Sequence, residues 1–296
     1  MSQEQNQWVS LSSDDLTVEV DPLGAQLSTL RDRAGRDLLW GGDPSVWAGR
    51  APLLFPIVGA LAGGHYRLGP ATYSLPRHGF ARVKRFDVVD TSRGAATFRL
   101  RADESTLAMY PFRFELDVCF ALDGATLSVT TSVRNLGDDD MPASIGYHPG
   151  LRWPLPYGRA RSSHFIEFAM DEPDPVRRLN ATGLLTQERH PTPVSHRYLK
   201  LEDALFHDDV IIFDQIRSRD VTYGADDGPR IRLSYPDARY LGIWTKPGAP
   251  FVCIEPWHGV ADPEGFTGDF RTKSGVFAVA AGAVMSTQMR MTLLGS

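Results

Sequence analysis

The sequence predicts an all-β protein, mostly antiparallel and with very little helix, and three observations support this prediction. Apolar and polar residues alternate with a period of two along many short segments. Turn residues separate these segments, since the 296 residues include 27 Gly and 21 Pro. No long stretch combines apolar residues at three-four spacing with caps at both ends. Many short strands with frequent turns are typical of a sandwich or barrel, and the missing crossover helices argue against a βαβ fold.

The first predicted strands lie near the N-terminus. Residues 16–20 alternate between apolar and polar side chains and then meet a turn at Asp21-Pro22-Leu23-Gly24. Residues 65–68 and 72–75 flank Gly69-Pro70, and we predict a hairpin there.

The clearest strand signal occurs in the middle of the chain. Phe112 begins a run in which every second residue up to Leu122 is apolar, and Asp123-Gly124 follows. Asp-Gly between two alternating segments is a strong hairpin signal. The return segment 126–133 carries apolar residues on one face and hydroxyl residues on the other. We therefore predict an antiparallel pair with one buried face.

The C-terminal half repeats this pattern, and we predict further strands at 210–213, 230–234, 240–244, 251–254 and, as one or two strands, 276–294. Residues 155–200 are richer in Pro, Arg and His and show less pattern, so we expect a long surface excursion. No boundary or internal repeat interrupts the chain. We predict a single domain over residues 1–296.

Composition narrows the classes of partner. The formal net charge is -5 and the sequence pI is about 5.9, which argues against nucleic acid or an anionic membrane as the main partner. The longest apolar runs, 51–62 and 275–285, are shorter than the ~20 residues of a membrane helix. The N-terminus lacks the pattern of a signal peptide, so we expect a cytoplasmic protein. Cys119 and Cys253 lie in apolar stretches and are expected to be reduced, buried thiols.

Two residues combine an unusual setting with acid-base chemistry. His148 stands in Gly146-Tyr147-His148-Pro149-Gly150, and a histidine both accepts and donates protons near neutral pH. Glu255 ends the apolar run 251–254, where a carboxylate is costly unless it is paired or functional. Burial would raise its pKa toward that of a general base. The alternatives are an ordinary structural histidine and a buried salt bridge.

Three further residues are candidates for ligand contact. Trp257 offers a flat apolar face of the kind that sugar C–H surfaces favour, while Arg50 and His78 lie in glycine-containing segments that leave room for a ligand. The alternatives are core packing for Trp257, an ordinary ion pair for Arg50 and an ordinary turn for His78. Phosphate-binding loops, dinucleotide fingerprints, nucleophile elbows and zinc motifs are all absent from the sequence. We therefore expect a site without cofactor or metal that works by proton transfer.

These polar clusters together resemble the aldose 1-epimerase (galactose mutarotase) superfamily, and the chain looks most similar to its LacX-like bacterial branch. The resemblance spans nearly the whole chain. It is specific only in the combination of four segments, which are Arg50-Ala51-Pro52-Leu53-Leu54-Phe55-Pro56, His78-Gly79-Phe80-Ala81-Arg82, Gly146-Tyr147-His148-Pro149 and Glu255-Pro256-Trp257. It implies a galactose mutarotase-like β-supersandwich that holds a sugar in an open cleft.

The resemblance also implies roles. Glu255 matches the family's base, which takes the proton of the anomeric hydroxyl, and His148 matches the acid, which protonates the ring oxygen. We expect the carboxylate to be ionised and the histidine protonated at neutral pH. The sugar-binding positions of the family match Arg50, His78 and, in the segment 207–213, Asp209, with Asp208 as the alternative. The implied reaction interconverts the α and β anomers of a hexose through ring opening, and the implied partner is a small sugar bound by a monomer or homodimer.

One departure keeps the substrate open. Classical galactose mutarotases carry Asn immediately before the histidine that matches His78, whereas this chain carries Arg77. Arg77 or Arg82 would suit an anionic group, since arginine binds phosphate in a bidentate manner; we expect Arg82 to be structural, at the start of a strand. The alternatives are a hexose-6-phosphate mutarotase and a non-catalytic sugar-binding protein. A glycoside hydrolase ranks lower, because it needs two carboxylates.

Overall fold

The computed structural model describes residues 8–295, and these residues form short strands joined by turns. In chain order, the strands are β1 (Val9–Ser12), β2 (Leu16–Asp21), β3 (Gln26–Asp32), β4 (Leu53–Leu54), β5 (His65–Leu68), β6 (Ala71–Ser74), β7 (Asp87–Thr91), β8 (Ala95–Arg101), β9 (Phe114–Asp123), β10 (Thr126–Asn135), β11 (Met141–Ala143), β12 (Ile145–Tyr147), β13 (Gly150–Arg152), β14 (Phe165–Phe168), β15 (Tyr198–Lys200), β16 (Ile211–Phe213), β17 (Asp220–Gly224), β18 (Arg230–Ser234), β19 (Tyr240–Trp244), β20 (Phe251–His258), β21 (Phe277–Val279) and β22 (Val284–Leu294).

Helical structure is limited to short pieces in the described chain. The helix α1 (Glu104–Leu107) is one turn long and begins with a capping box at Asp103. Five 3₁₀ turns complete the set, at Ala62–Gly64, Ala81–Val83, Arg161–Ser163, Asp203–Phe206 and Phe270–Thr272. All pairings between the named strands are antiparallel, as the registers from β1–β2 to β8–β9 show. The predicted all-β, mostly antiparallel class with very little helix is confirmed.

Two sheets dominate the fold. The larger has nine strands in the order β15-β14-β17-β18-β22-β10-β9-β8-β7, and its centre is the predicted hairpin at Asp123-Gly124. The smaller has the order β16-β19-β20-β12-β4, with β13 also paired to β20. Their inner faces share one apolar core, and the Tyr147 hydroxyl reaches from the smaller sheet to the Thr131 hydroxyl of β10 at 3.0 Å.

Three local expectations differ from the structure. Residues 155–200 do not form only a surface excursion, since they contain β14 and β15 of the nine-stranded sheet. Arg82 belongs to the 3₁₀ turn Ala81–Val83 and does not begin a strand. Glu255 does not end its strand, because β20 continues to His258 through Pro256.

Candidate active site

Strand β20 carries the candidate base in its middle. All eight residues of β20 are buried, so both faces of the strand are covered. Because side chains alternate between faces, Val252 and Ile254 join the central core while Cys253, Glu255 and Trp257 point to the other side. A strand buried on both faces reads as a continuous apolar run, which is why the sequence marked Glu255 as exceptional.

His148 stands opposite this strand. It lies with Pro149 between β12 and β13, and both of these short strands pair with β20, at Gly146–Trp257 and Gly150–Cys253. The interruption between them therefore faces the middle of β20. This register brings His148 Nε2 to 3.1 Å from Glu255 Oε2, although their residues are more than a hundred positions apart in sequence.

A cleft of about 280 Å³ opens over this pair. It brings together six of the seven predicted site residues: Arg77, His78, His148, Asp209, Glu255 and Trp257. Asp209 and not Asp208 lines the cleft. The seventh residue, Arg50, does not line it. Its guanidinium donates to the Ser28 carbonyl at 2.8 Å and covers the ring of Trp8 at 5.0 Å, so the geometry gives the predicted sugar contact of Arg50 no support.

Burial disfavours charge on both members of the central pair. The side chains of His148 and Glu255 are 11% and 2% exposed. Burial lowers the pKa of His148 to about 3. Burial also raises the pKa of Glu255 well above its ordinary value, and the Asp209 carboxylate raises it further. Burial therefore opposes the expected ionised pair in the empty cleft, because it favours a neutral imidazole on His148 and a protonated carboxyl group on Glu255.

Several polar atoms around the pair lack hydrogen-bond partners among residues 8–295. These buried atoms are His148 Nδ1, Glu255 Oε2 and the indole Nε1 of Trp257. The Nε2–Oε2 contact of the pair is short but lacks hydrogen-bond alignment, and the Trp257 N–H lies near the carboxylate without a well-formed bond. Buried donors and acceptors cost free energy when they form no hydrogen bond. These three atoms therefore favour a ligand rich in hydroxyl groups.

His78 is held as a neutral donor. Its Nδ1 accepts a hydrogen bond from the Gly59 backbone N–H at 3.1 Å, while its own backbone N–H donates to the Gly59 carbonyl. Burial lowers the pKa of His78 well below its ordinary value, and the nearby His148, Arg77 and Arg82 act in the same direction. The neutral ring must then carry its proton on Nε2. This N–H is available to an oxygen acceptor in the cleft.

Asp209 is held in an unusual backbone conformation. Its φ of 61° lies in the left-handed region, as does the φ of 68° at His78. Non-glycine residues in this region are uncommon and cluster at functional sites. Arg178 supports the Asp209 turn, since its guanidinium donates to the carbonyls of Asp209 at 3.0 Å and Leu205 at 2.9 Å.

Two arginines make one side of the cleft positive. Arg77 forms a long ion pair with Asp209, with 4.0 Å between Nη2 and Oδ2. Arg82 donates to the Arg77 carbonyl at 2.9 Å and has no carboxylate partner in the described part of the chain. Arg82 also lines the cleft, so it lies beside the candidate site, and its structural role stays a prediction.

Sequence reasoning missed the aromatic wall. The rings of Trp47 and Trp244 lie 5.1 and 5.7 Å from the His148 ring, and both residues line the cleft. Trp47 lies three residues before the Arg50 segment, and Trp244 carried no signal beyond its place at the end of a predicted strand. Leu179, in the stretch expected to be an excursion, also lines the cleft.

One group of side chains has metal-ligating chemistry. Candidate ligand atoms of His148, Cys253 and Glu255 all lie within 4.8 Å of one another. Both cysteines are free thiols, as expected, but only Cys253 is buried, because the side chain of Cys119 on β9 is partly exposed. None of the described helices is long and apolar enough to cross a membrane.

Comparison with known proteins identifies the family and the relatives that this chain resembles in sequence. The sequence model described as aldose 1-epimerase matches residues 7–274. A LacX protein of Lactococcus lactis subsp. lactis is 33% identical over 263 residues, which cover 86% of this chain and 88% of the relative.

Solved structures agree with the sequence matches. A galactose mutarotase related enzyme from Lactobacillus acidophilus is 29% identical, covers 97% of both chains and has a TM-score of 0.90. A galactose mutarotase-like protein from Lactobacillus casei is 28% identical, with 97% of this chain and 100% of that chain covered and a TM-score of 0.91. These likenesses confirm the predicted galactose mutarotase-like β-supersandwich.

Proposed function

This chain belongs to the aldose 1-epimerase family, in the branch that contains the LacX proteins, and we propose that it is a mutarotase that interconverts the α and β anomers of a hexose. The observation that carries this proposal is the 3.1 Å contact between His148 Nε2 and Glu255 Oε2 on the floor of an open cleft. We further propose that residues 1–296 act as one domain and that no cofactor takes part. The cytoplasmic location and the monomeric or homodimeric state stay predictions.

The proposed reaction is a paired proton transfer. Glu255 accepts the proton of the anomeric hydroxyl while His148 donates a proton to the ring oxygen, so the C1–O5 bond breaks and the free aldehyde forms. The C1–C2 bond rotates, and the same steps in reverse close the ring on the other face. The pair holds one proton before and after each half of the cycle. A positioned acid or base contributes about 10²–10⁴-fold, which suits a reaction that already proceeds in water.

We expect a bound sugar to favour the charged forms of His148 and Glu255, which burial disfavours in the empty cleft. The neutral pair becomes an imidazolium and a carboxylate when one proton moves from Glu255 to His148, without any change in net charge. Hydroxyl groups that donate to the carboxylate favour its charged form. The neutral His78 donates from Nε2 to a sugar oxygen, Asp209 accepts from sugar hydroxyls, and the Trp257 face packs on sugar C–H groups.

A phosphorylated sugar is the second candidate substrate. Arg82 has no carboxylate partner among the described residues, and Arg77 holds Asp209 only at 4.0 Å. Two guanidinium groups beside one carboxylate leave a positive cleft wall, which favours an anionic substituent. If the substituent binds there, Arg77→Ala lowers kcat/KM for glucose 6-phosphate and leaves glucose little affected. Equal losses for both sugars would exclude this role of Arg77.

Polarimetry tests the proposed function. Freshly dissolved α-D-glucose, α-D-galactose and glucose 6-phosphate are each followed with and without the protein. We expect at least one of them to equilibrate faster, and His148→Asn to abolish the acceleration. Calorimetric binding of the same sugars without any acceleration would instead support a non-catalytic sugar-binding protein.

A further inference from the structure

A buried thiol lies beside the proposed acid-base pair and has no role in the proposed reaction. Cys253 precedes Glu255 by two residues on β20, so both side chains point to the same side of the strand. Cys253 is fully buried among aromatic rings that include Phe251, Trp47 and Trp244. Together with His148 it forms a cluster of one sulfur, one nitrogen and one oxygen donor.

The donor set matches the chemistry of zinc. Zn²⁺ binds thiolate sulfur at about 2.3 Å and imidazole nitrogen or carboxylate oxygen at about 2.0–2.2 Å, in tetrahedral geometry. Donors around such an ion are therefore about 3–4 Å apart. His148 Nε2 and Glu255 Oε2 are already 3.1 Å apart, and all candidate ligand atoms lie within 4.8 Å. Side-chain adjustments of about 1 Å would bring donors within 4.8 Å of one another to the separations of a zinc site.

We propose that His148, Cys253 and Glu255 bind Zn²⁺ as three protein ligands, and that the bound ion blocks the site by occupying its acid-base pair. The fourth position of the ion faces the cleft, where water or a sugar hydroxyl completes the coordination. Metal binding does not depend on the proposed mutarotase activity, whereas the inhibition rests on it.

Charge balance supports a dication at this buried position. One thiolate, one carboxylate and one neutral imidazole together carry two negative charges, so they balance the two positive charges of Zn²⁺. A bound ion therefore leaves no uncompensated charge among these buried side chains.

The position of the three proposed ligands distinguishes this cluster from a metal site on the protein surface. His148 and Glu255 line the cleft, so an ion reaches them from solvent, while Cys253 is fully buried and does not line the cleft. In residues 8–295, no second group of three His, Cys, Asp or Glu side chains brings its ligand atoms this close. Cys119 provides a matched control, since it is the other free thiol and lies on β9 of the nine-stranded sheet, outside the cleft lining.

Cobalt spectroscopy tests the binding without reference to activity. Tag-free wild-type protein is titrated with Co²⁺, and we expect one equivalent to give a thiolate-to-cobalt charge-transfer band with tetrahedral d–d bands, both displaced by Zn²⁺. Cys119→Ser should keep these bands, whereas Cys253→Ser and Cys253→Ala should lose the charge-transfer band. Calorimetry in two buffers of different ionisation enthalpy should show that Zn²⁺ binding releases protons.

Competition then tests the inhibition. We expect Zn²⁺ to slow anomer equilibration, its effect to fall as the sugar concentration rises, and the inhibitory Zn²⁺ concentration to increase at least about tenfold in Cys253→Ser. Unchanged zinc sensitivity in that variant would show that the ion acts elsewhere.

The absence of a thiolate band in the wild-type protein would overturn the metal site, whatever the activity of the protein. A band together with no acceleration of any sugar would keep the metal site and count against the proposed function. A band without competition by a turned-over sugar would overturn the blocking role.

Discussion

Gly242 leaves the space that Trp257 occupies, and its replacement tests whether that ring shapes the cleft. Gly242 lies on β19, opposite Glu255 of β20. A Cβ at position 242 would lie 2.5 Å from two carbons of the Trp257 ring, Cη2 and Cζ2. On the other edge of the ring, a Cβ at Gly146 would lie 2.8 Å from Cδ1. Glycines on both neighbouring strands therefore receive this indole.

The size of the effect follows from these distances. Ordinary contacts of a Cβ begin at 3.4 Å, so Gly242→Ala must displace the ring by about 1 Å. Overpacking of this kind costs about 1–3 kcal/mol of stability. Because Gly146 and its strand block the opposite edge, the ring moves toward the cleft. Misplacement of a positioning group by about 1 Å can cost about 10²-fold in rate, so we expect kcat/KM to fall by about 10- to 100-fold.

The assay compares two alanine substitutions. Gly41→Ala introduces the same methyl group at an exposed position where nothing lies within 4 Å of the new Cβ. Polarimetric kcat/KM and the free energy of unfolding are measured for both variants and the wild type. Equal kcat/KM in Gly242→Ala and Gly41→Ala would refute the proposed role of the Trp257 face in sugar binding.

Three further predictions address support, pH and the buried ion pair. Arg178→Ala removes a hydrogen bond of about 1.5 kcal/mol from the Asp209 carbonyl, so KM should rise about tenfold with little change in kcat; an unchanged KM would contradict this support. Burial lowers the pKa of His258 to about 4, so this residue contributes about 3 kcal/mol to the free energy of unfolding above pH 6.5, and the contribution is lost as the pH falls toward 4. Denaturant unfolding of His258→Gln should therefore show a free energy of unfolding that depends less on pH over this range than that of the wild type. Lys273→Met leaves the buried Asp262 carboxylate without its partner at 3.1 Å and should cost about 3–5 kcal/mol by the same method, and Asp262→Asn in the same chain should restore part of it.

The strands were predictable where one face is buried and the turn is local. β9 and β10 alternate strictly, and Asp123-Gly124 fixes their register, so the sequence alone indicates both strands and their pairing. β20 gives no such alternation, since both of its faces are covered. Its continuation beyond Ile254 through Pro256 was therefore missed.

The candidate site was predictable as a set of segments but not as a geometry. His148 and Glu255 drew attention by their local setting, whereas their 3.1 Å contact depends on the pairing of β12 and β13 with β20. Arg50 and Arg82 look alike as arginines near glycines, and only the tertiary structure separates them, since Arg82 lines the cleft and Arg50 does not.

The ionisation of the pair was not predictable from sequence. The roles implied by the family resemblance suggested a charged pair, but the surrounding strands and the rings of Trp47 and Trp244 remove water from His148 and Glu255. Burial then sets the direction of both pKa shifts.

The most direct test of the proposed mutarotase replaces the candidate base while keeping its shape. Glu255→Gln is compared with Glu188→Gln, which makes the same change at an exposed position, in polarimetry of whichever sugar the wild type equilibrates fastest. We expect Glu255→Gln to lose about 10²–10⁴-fold in turnover and to bind the sugar nearly as well, with Glu188→Gln unchanged. Turnover by Glu255→Gln close to that of the wild type would contradict the central claim that the His148–Glu255 pair carries the reaction.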